Sequence, residues 1–281
     1  MDLQQTRPIL NGQPLAGFDT SGVEWVLEEF EGWEGAAAST ISIAQKPRGR
    51  GGWAGDAFER SRQMSIGGKI FGSSYQAITD AETRLNSACT LEDALLVVDE
   101  GGLVRWCMVR RTDEPILRRL APTVAIWSLQ VVAVDPAKFG TELSGSTALP
   151  SFSGGLTVPF TVPFTVDSVL VSGQVNLINP GNEVGPVRLR IDGPCHGPSI
   201  SHAASGLALT FSSSLVLGAG EWLEVDMEAR TVMANGQSSR SGYVTARGWS
   251  GFTPGLNSWS FTATSFDVGA LLSVMATPAW K

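Results

Sequence analysis

Few places in this 281-residue chain gather side chains that could do chemistry. Cys195-His196, with His202 six residues further on, offers a thiol and two imidazoles. A Cys-His dyad needs those groups to converge in a cleft with a third group orienting the base. Adjacent residues on an extended chain point to opposite faces, so Cys195 and His196 do not pair easily and a structural role is the better reading. The three cysteines, Cys89, Cys107 and Cys195, are odd in number and widely spaced. They form neither a disulfide framework nor a closed zinc site, and three buried thiols are expected.

Glu221, Glu224, Asp226 and Glu228 could supply a carboxylate pair for glycoside hydrolysis, with Trp222 stacking on a sugar. Yet Glu224, Asp226 and Glu228 alternate with Leu223, Val225 and Met227, the pattern of a half-buried strand with a wetted outer face. The Gly-rich stretch from Gln45 to Gly55 carries Arg48, Arg50 and Trp53. Guanidinium groups on flexible backbone suit phosphate or carboxylates, but the Gly-Lys-Ser/Thr ending of a nucleotide-binding loop is absent. It reads either as a hairpin tip or as a loop that reaches a neighbouring subunit. No catalytic residue, metal ligand or cofactor site is assigned, and no enzyme is expected.

Composition agrees. Two His and two Tyr against 32 Gly describe a turn-rich scaffold with few groups that titrate near neutral pH. With 43% apolar and 17% charged residues the chain is globular, and its length allows two ordinary cores. A net charge of −7 argues against gripping nucleic acid, though not against a wall past which nucleic acid slides. Residues 1–8 lack the pattern of an export signal, and unbroken apolar runs such as Ala94 to Val98 are short. No membrane contact is expected, and synthesis in a cytoplasm is.

The elements that must position these residues fall into two halves. Up to Pro136 there are 13 Lys and Arg against 18 Asp and Glu; beyond it, 7 against 9 in a sequence richer in Ser, Thr and Gly. The boundary is placed after Asp135-Pro136-Ala137-Lys138-Phe139-Gly140, with residues 1–140 as the first domain, 141–155 as a Ser/Gly linker and 156–281 as the second domain. The first half reads as α+β. Val23, Trp25, Leu27 and Phe30 suggest one strand, Ala38 to Ala44 a second with Ile41 and Ile43 on one face, and Arg62 to Phe71 a third with a phase shift at Gly67-Gly68. Ser73 or Ser74 caps a helix whose buried stripe is Tyr75, Ile78, Ala81, Leu85 and Cys89, leaving Asp80, Glu82 and Arg84 in water. A hairpin turns at Gly101-Gly102. Ile116 to Val134 then alternates as one long strand, with Trp127 and Leu129 on the face opposite Ile126 and Gln130. Apolar groups on both faces of its middle mean a central strand or one that carries a subunit contact on its outer face.

The second half reads as all-β. Candidate strands lie at Leu156 to Val162, Val166 to Val171, Val187 to Ile191, Ser199 to His202, Ala208 to Phe211, Trp222 to Met227, Arg230 to Met233, Tyr243 to Ala246, Asn257 to Ala263 and Val268 to Met275. Turn residues recur at sandwich spacing, Asn235-Gly236 being the clearest.

Taken in order, Glu31-Gly32-Trp33-Glu34-Gly35, the Gln45 to Gly55 segment, the Arg62 to Ile66 strand, one helix and a long strand ending at Asp135-Pro136 resemble the N-terminal belt domain of siphovirus-type distal tail proteins. Asn179-Pro180-Gly181, Pro186 to Gly193, the Gly220 to Gly236 hairpin and Phe252 to Asn257 are similar to that family's galectin-like C-terminal sandwich. The resemblance implies a mainly β chain, an α+β belt domain followed by a galectin-like sandwich. It further implies a virion tail-tip component forming a ring, usually of six copies. Such a ring joins the tail tube protein to the tail-tip hub or baseplate and leaves a channel for the tape-measure protein and, transiently, DNA. The sandwiches project outward to hold receptor-binding proteins. Arg48, Arg50, Trp53, Trp127 and Leu129 are the expected subunit-interface or channel residues. The alternative is a carbohydrate-binding or glycoside-cleaving protein using Trp222 and Glu224, although no His-X-Asn run precedes them as a galectin-type site requires.

Overall fold

The computed structural model describes residues 2–153, 169–171, 173–265 and 269–281. The chain divides into two compact units, Met1–Gly140 together with Lys281, and Thr141–Trp280. The strands expected at Leu156 to Val162, and the first residues of those expected at Val166 and Val268, lie outside the described residues.

The first unit contains β1 (Thr6–Leu10), β2 (Gln13–Pro14), β3 (Gly17–Phe18), β4 (Glu24–Glu31), β5 (Ser39–Gln45), β6 (Gly52–Glu59), β7 (Arg62–Phe71), α1 (Tyr75–Ala88), β8 (Ala94–Glu100), β9 (Leu103–Arg111), β10 (Ile116–Ala121), β11 (Val124–Ala133) and β12 (Lys138–Phe139). Hydrogen-bonded neighbours run β2-β1-β8-β9-β11-β7-β4-β3, with β10 on β11 and β12 on β9. The β9 to β11 contact is confined to Arg110 and Arg111 opposite Val132 and Val131, so two antiparallel sheets meet there. Their inward residues, among them Trp25, Met64, Ile66, Leu96, Val109, Trp127 and Leu129, enclose one core with Ile78, Ala81 and Leu85 of the helix.

Several expectations for this unit change. Ile116 to Val134 is two strands, because Pro122-Thr123 turns the chain back and pairs Ile116 with Ser128; alternation keeps its phase across so short a turn. β7 keeps its alternation through Gly67-Gly68, and the irregularity lies in β4, where Glu28 is extra between Leu27 opposite Gly68 and Glu29 opposite Gly67. That bulge accounts for the three-residue step from Leu27 to Phe30. Tyr75 is exposed and lies 3.8 Å from the Arg119 guanidinium. Ser74 is the cap, accepting from the Ala77 N–H. Glu82 and Arg84 are half-buried rather than solvated, each in an ion pair, with Arg119 and Asp19 respectively.

The second unit holds β13 (Leu143–Ala148), β14 (Ser151–Ser153), β15 (Val169–Val171), β16 (Gln174–Asn179), β17 (Val187–Asp192), β18 (Cys195–His196), β19 (Ser199–His202), β20 (Leu207–Phe211), β21 (Val216–Leu217), β22 (Trp222–Asp226), β23 (Thr231–Ala234), β24 (Ser238–Ser239), β25 (Val244–Arg247), β26 (Gly255–Thr262), β27 (Leu271–Ala276) and β28 (Ala279–Trp280). A six-stranded sheet, β13-β27-β17-β22-β23-β24, and a five-stranded sheet, β16-β26-β19-β20-β25, share one core. Leu189, Leu223 and Val274 come from the first, Ile200, Phe211, Trp259 and Phe261 from the second. This is an antiparallel sandwich, and with α1 the sole α-helix among the described residues the chain is mainly β. β13 and β14 occupy the segment read as a linker: Leu143–Ala148 pairs along its whole length with β27. Small Ser and Gly residues hide that strand from a hydrophobic pattern, yet Gly145 is needed where an added Cβ would lie 2.7 Å from Val175.

Candidate assembly interface

β5 and β6 form a two-stranded ribbon that pairs with no other strand among the described residues. Ser-Thr-Ile-Ser-Ile favours extended backbone, and Gly49 and Gly51, at φ 113° and 84°, let the chain turn at the tip, where the Lys46 N–H donates to the Gly51 carbonyl at 3.2 Å. Arg48 and Arg50 sit in that tip and are exposed.

Directly opposed residues of an antiparallel pair share a face. Phe58 faces Thr40 and Trp53 faces Ala44, whereas Ile41 faces Ala57 and Ile43 faces Ala54. One side of the ribbon is therefore aromatic and the other aliphatic. Both are bare: Phe58 is 69% exposed, Trp53 58%, Ile43 58% and Ile41 47%. A lone hairpin in water is marginal and its open edges invite pairing, so such a ribbon is built to be covered.

Its root is rigid. Arg60 is hydrogen-bonded to the Thr40 hydroxyl, and its N–H donates to the Ala38 carbonyl at 2.7 Å. The buried Arg62 guanidinium donates to the carbonyls of Pro136 (2.8 Å), Gly32 (2.9 Å), Gly35 (3.0 Å) and Trp33 (3.3 Å). Lys138, also buried, donates to the Trp33 carbonyl at 3.0 Å. Trp33 is fully buried, stacks on Phe30 at 5.7 Å and has Lys138 Nζ 5.5 Å from its ring centre. Gly32, at φ 80°, has no alternative, since an added Cβ would lie 2.0 Å from the Gln63 carbonyl oxygen. Glu31-Gly32-Trp33-Glu34-Gly35 is thus the turn that fixes the ribbon's root. Burial, with the like charges of Arg62 and Arg105, lowers Lys138 to about 8.

The expected interface residues separate. Arg48, Arg50 and Trp53 lie on the ribbon, but Trp127 and Leu129 point into the core, Trp127 edge-on to Trp25 at 5.8 Å, and offer nothing to a neighbour. The outward face of β11 carries Val124, Ile126, Ser128, Gln130 and Val132, with Gln130 donating to Ser65 at 2.9 Å and Ser65 to Glu29 at 2.7 Å. Phe58, Arg62 and Lys138 escape a sequence reading. Phe58 follows the Gly-rich tip, and the two cations look like solvated charges until the carbonyls around them are seen.

The chemical candidates do not assemble a catalytic site. Cys195 is buried and His196 exposed on the same short strand. His202 is buried and stacks on Trp259 at 4.8 Å; its Nε2 lies 2.9 Å from Asn257 Oδ1 and its Nδ1 2.8 Å from Ser205 Oγ. Burial lowers its pKa. Burial pushes the Cys89 and Cys107 thiols up to about 11 and about 12. Glu224 is exposed on β22 while Leu223 and Val225 are buried. The Arg190 guanidinium lies 4.7 Å from the Trp222 ring centre, held by its ion pair with Asp192 at 2.8 Å, and occupies one face of the ring on which a sugar could stack. No group of His, Cys, Asp and Glu among the described residues could hold a metal ion, and no described helix is long and apolar enough to cross a membrane.

No known protein-family model matches the chain, and no curated protein does. Solved structures do share its fold. The SPP1 Dit protein, described as a paradigm of the hub adsorption apparatus in phages infecting Gram-positive bacteria, aligns over 98% of this chain and 99% of its own, with a TM-score of 0.69 and 12% identity. A chain of the phage P2 baseplate in its activated conformation with Ca aligns over 96% of this chain and 98% of its own, with a TM-score of 0.50 and 8% identity.

Proposed function

We propose that this chain is a structural, non-enzymatic component of a phage tail tip, a distal tail protein of the virion. In this reading residues 1–140 form the ring-building belt and the C-terminal sandwich is a platform for receptor-binding proteins. The ring, of six copies by analogy, joins the tail tube protein to the tip hub and leaves a passage for the tape-measure protein and DNA. The observation that carries the reading is the likeness to SPP1 Dit across nearly the full length of both chains, both units included. The uncovered ribbon supports it, because a head-to-tail contact that closes into a ring would bury that surface in every copy.

Two measurements test it. The native mass of the purified chain, with images of the particles, is expected to give a closed ring, and virions labelled against the chain should carry label at the tail tip. Label along the whole tube would defeat the assignment. The carbohydrate reading is disfavoured by Arg190 lying over Trp222.

A further inference from the structure

The ribbon needs a receiving surface, and the first unit carries one that matches it in polarity and in charge. On β8 and β9 the side chains facing away from the core include Leu95 and Met108, which stand directly opposite each other and are both exposed. Leu91, 76% exposed, precedes them. At the end of the pair where β8 begins and β9 ends, Glu92 and Asp93 lead into β8, and Arg110 and Arg111 close β9 with Asp113 and Glu114 just after them. Arg110 is engaged by Asp93 at 2.5 Å. Four carboxylates against two guanidiniums leave that corner negative. The ribbon is its complement, with Lys46, Arg48 and Arg50 at the tip, no acid from Ser39 to Gly55, and apolar residues on both faces behind it.

We infer that the ribbon of one copy docks on the outer face of β8 and β9 of a second copy, its basic tip against the Glu92 to Glu114 corner and its apolar stem over Leu91, Leu95 and Met108. The inference rests on the assembly reading above. Donor and receiver belong to the same unit but are different surfaces, so the contact is heterologous and propagates from copy to copy until the rotation closes. Opposed charges fix which end of the patch the tip meets, while the apolar contact supplies the burial.

Charge exchange tests the pairing. In the full-length chain, Arg48→Glu with Arg50→Glu, and separately Glu92→Arg with Glu114→Arg, should each weaken self-association about tenfold or more in sedimentation experiments, and the fourfold exchange should recover most of the loss. Leu95→Ser with Met108→Ser should weaken it as well. All these side chains are exposed, so an unchanged melting temperature identifies an assembly defect. If the wild-type chain assembles and reversal at Glu92 and Glu114 has no effect, or the exchange gives no recovery, the receiving surface is wrong while the ring reading stands. A wild-type chain that is monomeric at every concentration and absent from rings in virions overturns both.

Discussion

Lys138 donates to the carbonyl of Trp33 at 3.0 Å, and both residues are closed to solvent. The contact holds the turn at the root of the ribbon, but at a cost, because a buried ammonium with a single hydrogen bond to a carbonyl is poorly repaid for its lost hydration. The folded protein therefore releases the proton more readily than the unfolded chain, at about 8 rather than 10.5. Below the folded value both states are charged and the cost is fully present. Between the two values the unfolded chain binds more protons, so stability rises with pH. Lys138→Met should therefore be neutral or stabilising at pH 7, by up to about 3 kcal/mol, and should flatten the rise between pH 8 and 10. Urea unfolding at both pH values measures this; a Met variant clearly less stable at pH 7 would show that the hydrogen bond outweighs the burial.

Arg62 acts in the opposite sense. Its guanidinium satisfies carbonyls of Gly32, Trp33, Gly35 and Pro136, of which only that of Trp33 has Lys138 as a second donor. Arg62→Leu keeps some volume but removes four charge-assisted hydrogen bonds, each worth about 1.5–3 kcal/mol where water does not replace it, and Gly32 and Gly35 are exposed enough for water to replace part of the loss. The expected loss is at least about 3 kcal/mol in denaturant unfolding, and a loss under about 1 kcal/mol would mean that water replaces the guanidinium.

The long first-unit strands are legible because alternation marks them. Arg62 to Phe71 is recovered to the residue, since Met64, Ile66 and Ile70 share one face. The helix stripe is legible for the same reason from Ile78 onward. What periodicity cannot carry is a turn that preserves phase, as at Pro122-Thr123, or a strand of small residues, as at Leu143–Ala148. The candidate site was half legible. Glycines and arginines announce the ribbon's tip, but whether an apolar side chain is buried or bare is a tertiary property. Trp127 and Trp53 sit in comparable strands, one in the core and the other in water.

Gly67 and Gly68 separate two effects that a sequence cannot distinguish. An added Cβ at Gly68 would lie 1.9 Å from the Val26 carbonyl oxygen, opposite the β4 bulge, whereas at Gly67 its nearest neighbour is the Trp127 carbonyl oxygen at 3.2 Å. Gly68→Ala should force β4 away from β7 and cost about 3 kcal/mol, while Gly67→Ala should stay within about 1 kcal/mol. Thermal unfolding of the two variants checks this, and equal effects would mean that the bulge yields freely.

His202 gives the second unit an acid sensitivity. Asn257 Oδ1 accepts from the Thr253 N–H and hydroxyl, and its amide donates to the carbonyls of Thr253 and Gly255, so the side-chain oxygen must face His202 Nε2. The imidazole then carries its proton on Nε2 and accepts the Ser205 hydroxyl at Nδ1, which is the neutral form. Burial lowers the folded pKa below the ordinary 6.5. The stabilisation from this neutral ring is complete above the unfolded value and is lost as the pH falls through the folded one. Melting of the full chain should therefore weaken on acidification from pH 7 to 5, and His202→Gln should reduce that dependence. A slope unchanged in the Gln variant would assign it elsewhere.

The ribbon's two faces lead to the sharpest separation of fold from assembly. Trp53→Ser with Phe58→Ser removes the aromatic face, and Ile41→Ser with Ile43→Ser the aliphatic one. Because these side chains are already exposed in the single chain, neither pair should move stability by more than about 0.5 kcal/mol per substitution. A ribbon lying flat on one surface would lose affinity through one face alone. A ribbon enclosed between the outer face of β8 and β9 and a further surface of the assembly would lose it through both, and two faces this apolar favour enclosure. Sedimentation of the two double variants should therefore show weakened self-association in each case. Full assembly by either one would mean that its face stays in solvent within the ring.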